Sequence, residues 1–340
     1  MKLEDKINIK SNNLNILRFV AAIMVVICHS YAVTRNQEDF LSAFNGEQCN
    51  LGALAVAIFF FISGLYVMKS LDVSKYIATF MKKRIKRIFP QLWIVIIVSM
   101  FIVGPIVSSI GVKEYFTDIN TWKYAFNGIL LPIHNLPGVF ENNVYQTVNG
   151  PLWTLPVEFM CYIGLVILYV ISERISKKKT LNIHKCFHWL AFSILFITYL
   201  FVYYVLKWKF LATVVRPIVF FLEGILYYDY RKKISLNVKW ASVLLLVLVL
   251  ACKTPFYNLF MLLILPYVVV SFCLGVHDIK SDSDLWKISY EMYLVGWPIQ
   301  QIVFELMNCV QTPYMNMFIA IPFDIIIAYA LYKLIEKIVD

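Results

Sequence analysis

Hydrophobic residues come along this chain in long runs, not in the alternation of a half-buried strand or the narrow stripe of a soluble amphipathic helix. Runs of about twenty residues recur from one end to the other, the length a helix needs to cross a bilayer core of roughly 30 Å. The pattern predicts ten spans, at 14–33, 51–68, 89–110, 151–172, 188–206, 210–229, 240–252, 257–276, 286–308 and 314–338, of which the seventh is the shortest. Two polar connections stand apart. Residues 69 to 88 carry Lys69, Lys75, Lys82, Lys83, Arg84, Lys86 and Arg87 on a partly helical element that runs into Phe89 and Pro90. Residues 111 to 150 form a long segment outside the spans, with an aromatic patch at Trp122 to Phe126 and a proline-rich run at Leu131 to Gly138. Segments of that length commonly carry function or lie as lids. No internal repeat, low-complexity tract or extramembrane domain is evident. An all-α, polytopic membrane protein with about ten transmembrane helices, one unit over residues 1–340, is therefore expected.

Composition excludes a soluble domain, since 60% of the residues are hydrophobic, 16% are aromatic and the mean hydropathy is +0.71. A formal net charge of +10 raises nucleic acid as a partner, but the basic residues cluster between apolar runs and not on a separable domain. Topology accounts for them better. With the N-terminus placed in the cytoplasm, 23 of the 31 Lys and Arg fall in cytoplasmic segments or at the span ends beside them. Six (Arg35, Lys113, Lys123, Lys207, Lys209 and Lys253) fall on the outer side, and Arg18 and Arg216 lie deep within spans. The asymmetry predicts a multi-pass protein of the inner (plasma) membrane with both termini cytoplasmic. The first span has Arg18 in its core and no small-residue cleavage pattern behind it, so it is expected to be retained. The seven cysteines show no CxxC or metal-ligand spacing, and no metal is expected. Cys28 points away from the face of its neighbour His29, which argues against a Cys/His nucleophile pair.

Arg18 and His29 are the most informative positions. Eleven residues apart, they share nearly one helix face at a separation of roughly 16 Å. A charge at mid-membrane costs about 2.5–3.5 kcal/mol on insertion scales, so intramembrane ionisable groups read first as a functional site. Arg18 is close enough to the cytoplasmic end to snorkel there, whereas His29 is not. Counting residues from the span limits puts His29, Glu158 and Arg216 at similar depths, roughly 6 to 10 Å below the outer boundary. If their helices are neighbours, His29 and Glu158 make a general base with its orienting partner, and Arg216 faces a developing oxyanion. The residues alone leave a second reading open, in which Glu158 and Arg216 neutralise each other and His29 bonds within a helix interface.

Several motifs then fall in one order. Arg18 is followed after ten residues by His29. Phe59-Phe60-Phe61-Ile62-Ser63-Gly64 comes next, then Arg84-Ile85-Lys86-Arg87 before Pro90, then Pro151-Leu152-Trp153-Thr154-Leu155-Pro156-Val157-Glu158, then Arg216-Pro217 through Gly224. This succession resembles the integral membrane acyltransferases of family 3, which include bacterial O-antigen and other surface-polysaccharide O-acetyltransferases, and it covers most of the chain. One departure matters. The family often reads Ser-Tyr-x-x-Tyr-Leu-x-His near its C-terminal end, and here the His position is Gly296, which leaves His29 as the sole candidate base. Some family members carry an appended extracytoplasmic domain, and none is expected in this chain.

The resemblance implies transfer of an acyl group, most often acetyl, from cytoplasmic acetyl-CoA to a sugar hydroxyl. Acetyl-CoA is then the donor substrate and not a resident cofactor. Arg84 and Arg87 would hold its phosphates, with Arg18 on the pantetheine or diphosphate part and Ser63 beside the passage. Gly64 would border the passage too, or serve close helix packing. His29, Glu158 and Arg216 would be the catalytic group, acting either by direct transfer or through an acyl-enzyme. The acceptor would be a glycan or lipid-linked saccharide at the outer face, where Trp122 and Trp153 either stack on sugar rings or anchor at the interface. Two other classes compete: a glycan or small-molecule transporter using Arg18, Glu158, Arg216 and Asp324 as a path, and a non-catalytic assembly protein. Asp324 and Glu223 receive no chemical role.

Overall fold

In the core of a bilayer there is no water to satisfy a bare backbone, so runs this apolar must close their hydrogen bonds internally. The computed structural model does so with helices. It describes residues 1–7, 13–35, 38–175, 181–277, 279 and 283–339, among which no strand occurs, and Asp340 lies outside them. Ten long helices coincide with the ten expected spans: α1 (Asn13–Val33), α2 (Leu51–Asp72), α3 (Ile77–Val98), α4 (Thr154–Ile175), α5 (Leu181–Leu200), α6 (Lys209–Asp229), α7 (Val238–Leu250), α8 (Tyr257–Leu274), α9 (Ser289–Leu306) and α10 (Pro313–Val339). Eight are long and apolar enough to cross a membrane by themselves. The other two are α7, with 13 residues, and α9, which carries Glu291, Gln300, Gln301 and Glu305. The basic stretch ahead of Pro90 is the first part of α3, which runs through that proline without ending.

The bundle is organised about its most buried helices, α2, α6, α8 and α9. Where α2 and α6 cross, Gly64 lies on the backbone of Phe221, and Gly224 on the backbone of Phe61 and Leu65. A Cβ at either glycine would overlap a main-chain carbonyl, so this approach requires the missing side chain. Helix α1 packs against α2, α9 and α10, while α5 lies at the periphery.

The two ends of the bundle differ in charge. At one, the basic end, the N-terminal segment binds the α6–α7 connection through Leu3 N–H to Ile234 C=O at 3.0 Å, and Lys69 Nζ donates to Ile7 C=O at 2.6 Å. Tyr228 donates to Asp72 there at 2.7 Å, and Asp284 pairs with Lys287 at 2.7 Å. The far end holds Arg35, Lys113, Lys123, Lys207, Lys209 and Lys253.

Residues 111–150 depart from the long segment outside the spans that was expected. The chain after α3 passes short helices at Val112–Thr117 and Ile119–Lys123, then folds back so that Gly128 packs on the ring of Trp93. Trp93 is fourteen residues, roughly 21 Å, before the end of the α3 extension at Val107. A stretch from Asn143 to Pro151 then descends beside α9 toward the basic end. Its polar backbone is met by side chains of that helix: Gln301 Nε2 donates to the carbonyls of Tyr145 and Thr147, Trp297 Nε1 to Thr147 at 2.9 Å, and Tyr293 Oη to Pro151 at 2.8 Å. Pro298 has no N–H for the carbonyl of Leu294, and Asn149 Nδ2 occupies that carbonyl at 2.8 Å. Irregular backbone is tolerated inside a membrane protein only when buried or lining a cavity; here Asn143, Val148 and Asn149 are buried and Pro151 lines a cavity, while Val144, Tyr145 and Gln146 are exposed.

Candidate functional site

Two cavities lie end to end between α1, α2, α4 and α9. The inner one, of about 50 Å³, is lined by Arg18, Arg87, Glu158, Ser289 and Tyr290 among others. The larger one, of about 410 Å³, reaches the far end and is lined by His29 and Arg216, by Cys28 and Cys49, and by Trp153, Tyr199 and Tyr203. Val56, Thr154 and Tyr293 border both, so the two adjoin. The Thr154 and Tyr293 hydroxyls bond to each other at 2.7 Å at that junction.

His29 comes from the far half of α1. Its ring meets Trp297 edge-on, centroids 4.9 Å apart at 83°, and its Nδ1 is buried with no hydrogen-bond partner among the described residues. That leaves Nε2 as the nitrogen for a molecule in the larger cavity. Behind this face Ser30, Gln300 and Asn316 form a buried polar seam that ties α1 to α9 and α10.

Arg216 stands just before Pro217 on α6. One guanidinium nitrogen donates to Asn258 Oδ1 at 3.2 Å, and Nε is buried without a partner among the described residues. Asn258 is fully buried on α8, and its amide nitrogen donates to Tyr203 Oη at 2.7 Å and to Gln48 C=O at 3.2 Å. A neutral amide thus fixes the guanidinium, whose charge is not neutralised by Glu158. At the cavity mouth, Glu47 shares a hydrogen bond with Glu38 and raises the Glu38 carboxyl above its usual range.

Glu158 is not beside His29, which corrects the expected convergence. Its Oε1 accepts from Ser63 at 3.1 Å and from Tyr162, and it lines the inner cavity with Arg18 and Arg87. The depth count assumed that the fourth span begins at the outer boundary. In fact α4 begins only after Asn143–Pro151 has descended along α9 from Gln301 to Tyr293, eight residues or roughly 12 Å. Glu158 therefore lies level with Tyr290, and His29 level with Trp297.

Ser63 is buried, bonds to Glu158 and Tyr162, and borders neither cavity. Of the two arginines before Pro90, only Arg87 faces the inner cavity. Arg84 lies against the rings of Phe80 and Tyr162, at 5.7 and 5.9 Å, with Ser70 Oγ at 3.5 Å. Trp122 is half-exposed on the flank of α3 and Trp153 lines the larger cavity, so only the latter is placed to meet a ligand there. Gly296 leaves room for Asp324: a Cβ there would lie 3.3 Å from the Asp324 carboxylate, which is fully buried and has no hydrogen-bond partner among the described residues. Tyr293 belongs to the Ser-Tyr-x-x-Tyr-Leu-x-His pattern without being singled out by it, and Trp297 and Asn258 carry no sequence signal beyond being aromatic or polar within apolar helices.

The family model described as acyltransferase domain matches residues 11–333. An O-acetyl transferase of Shigella phage Sf6 is 26% identical, over 96% of both chains. Acyltransferase MdmB of Streptomyces mycarofaciens is 26% identical over 48% of this chain and 40% of its own. Nodulation protein 10 of Rhizobium leguminosarum bv. viciae is 31% identical over 48% of this chain and 45% of its own. No solved structure matches. A match over nearly the whole chain, on an all-helical multi-span bundle whose facing helices enclose a His and three Arg, places the protein in the family 3 membrane acyltransferases.

Proposed function

We propose that the protein is an O-acetyltransferase that moves an acetyl group from acetyl-CoA, entering at the basic end, to a hydroxyl of a cell-envelope or exported glycan at the far end. The observation that carries this reading is the pair of adjoining cavities, with Arg18 and Arg87 in one and His29 and Arg216 in the other. Two guanidinium groups against one carboxylate leave the inner cavity net positive, suited to the phosphates of CoA through charge-assisted hydrogen bonds. Arg84, outside the cavity, sits over the ring of Tyr162, the residue that holds Glu158. Glu158, held by Ser63 and Tyr162, acts here as the spacer of the two arginines.

The thioester reaches the junction at Thr154 and Tyr293, where the acceptor hydroxyl meets it from the other side. His29 Nε2 takes the hydroxyl proton as the oxygen attacks the thioester carbonyl. Arg216 stabilises the oxyanion of the tetrahedral intermediate through the part of its guanidinium that lines the cavity, with Asn258 holding the group in place. Collapse breaks the carbon–sulfur bond, and the proton held by His29 passes to the leaving thiolate. Trp153, Tyr199 and Tyr203 offer the flat surfaces on which sugar rings stack.

The test compares proton NMR spectra of envelope glycans from cells expressing wild type or His29→Ala at matched membrane levels, before and after mild base. A base-labile acetyl signal present only with wild type is expected. Near-normal acetylation by His29→Ala would remove His29 as the base. Absence of acetyl from every glycan fraction would move the acceptor to a small molecule.

A further inference from the structure

A histidine that works through Nε2 normally has its ring aimed by a hydrogen bond at Nδ1, from a carboxylate or a carbonyl. Among the described residues His29 has no such bond, since Nδ1 is buried without a partner there and the expected carboxylate, Glu158, lines the other cavity. Something else must restrict rotation of the ring. The only aromatic ring recorded against it among the described residues is that of Trp297.

Trp297 is itself held from two sides. Its Nε1 donates to Thr147 C=O at 2.9 Å, and Tyr145 meets its ring at 5.8 Å and 67°. Both contacts belong to the irregular stretch 143–151, and the fully buried Gln301, one turn further along α9, grips the same Thr147 carbonyl at 2.9 Å. We propose that Trp297 is the positioning residue of His29, and that the stretch 143–151 acts on the imidazole through it. This rests on the reading of His29 as the base. It gives the descending segment a task in the chemistry: moving Thr147 moves the indole, and the indole limits where Nε2 can point. A misplacement of about 1 Å costs roughly a hundredfold in rate even when no reacting group is lost.

The test uses the full chain purified in detergent, with Trp297→Leu, which removes the ring, and Trp297→Phe, which keeps a ring and removes the N–H. Trp297→Leu is expected to lower kcat by about a hundredfold with KM for acetyl-CoA nearly unchanged, and Trp297→Phe, which keeps a ring but loses the bond to Thr147, to stay about tenfold below wild type. The rate at which diethyl pyrocarbonate modifies His29, followed by mass spectrometry, is expected to rise in Trp297→Leu at an unchanged melting temperature. That readout needs no turnover, so it decides the positioning role even if His29→Ala proves active and the base assignment fails. Wild-type kcat in Trp297→Leu, or a modification rate equal to wild type, overturns the proposal. If Trp297→Leu does not accumulate, Trp297→Phe decides alone, and wild-type values in both measurements overturn the link to Thr147.

Discussion

Glu158 is the residue at which counting and packing disagree, and it shows what a depth estimate omits. Seven positions along a span give a height only if the start of the span is known, and α4 starts below the boundary because the chain ahead of it enters the bundle unwound. The consequence is measurable. In Glu158→Gln the amide oxygen can still accept from Ser63 and Tyr162, so the fold is expected to survive. If Glu158 belongs to the donor end, the variant changes KM for acetyl-CoA and leaves kcat within about threefold, the pattern of altered ground-state binding. A large fall in kcat at constant KM would instead return Glu158 to His29. Arg18→Ala and Arg87→Ala are each expected to raise KM for acetyl-CoA by about ten- to a hundredfold, the worth of one charge-assisted bond of 1.5–3 kcal/mol. If acetyl-CoA is the donor, it is expected to raise the melting temperature of the purified protein, and both variants should reduce that rise, because a ligand stabilises only the state that binds it.

The helices themselves were legible because hydropathy and length reflect a constraint that acts residue by residue: an apolar run in a bilayer has no alternative to a helix. The polar stretch 143–151 was not, since its stability comes from side chains on α9 about 150 positions away, Gln301 and Trp297 to Thr147 and Asn149 to the carbonyl freed by Pro298. No local pattern encodes a pairing of that range. The motif Phe59 to Gly64 lies between these cases. Its glycine predicts a close approach, and the structure supplies the partner, Gly224 on α6. Gly224→Ala is expected to force the helices apart and destabilise the protein by about 1–3 kcal/mol or more, seen as a lower melting temperature and poor accumulation. Gly164, with nothing within 4 Å of a built Cβ, is the control. Gly164→Ala should be neutral or slightly stabilising, since a helix interior favours alanine by roughly 0.5–1 kcal/mol.

At the scale of the whole molecule, the proposed transfer from acetyl-CoA has a direction that can be tested. The basic end carries most of the Lys and Arg and adjoins the cavity with Arg18 and Arg87, while the larger cavity reaches the opposite end. Acetyl-CoA is large, polyanionic and unable to cross a bilayer, so a protein that spans the membrane must take it from one side only. Reconstituted into sealed vesicles, the chain is expected to respond to external acetyl-CoA only where its basic end faces outward. Cys186, exposed at the basic end, reports that orientation through a membrane-impermeant maleimide. The fraction of molecules labelled before permeabilisation should equal the fraction active with external acetyl-CoA, and lysing the vesicles should raise both together. Activity that follows the unlabelled fraction would reverse the direction of transfer. Equal activity from both sides would mean that the donor reaches His29 through the larger cavity, and the arginines of the inner one would then serve the fold.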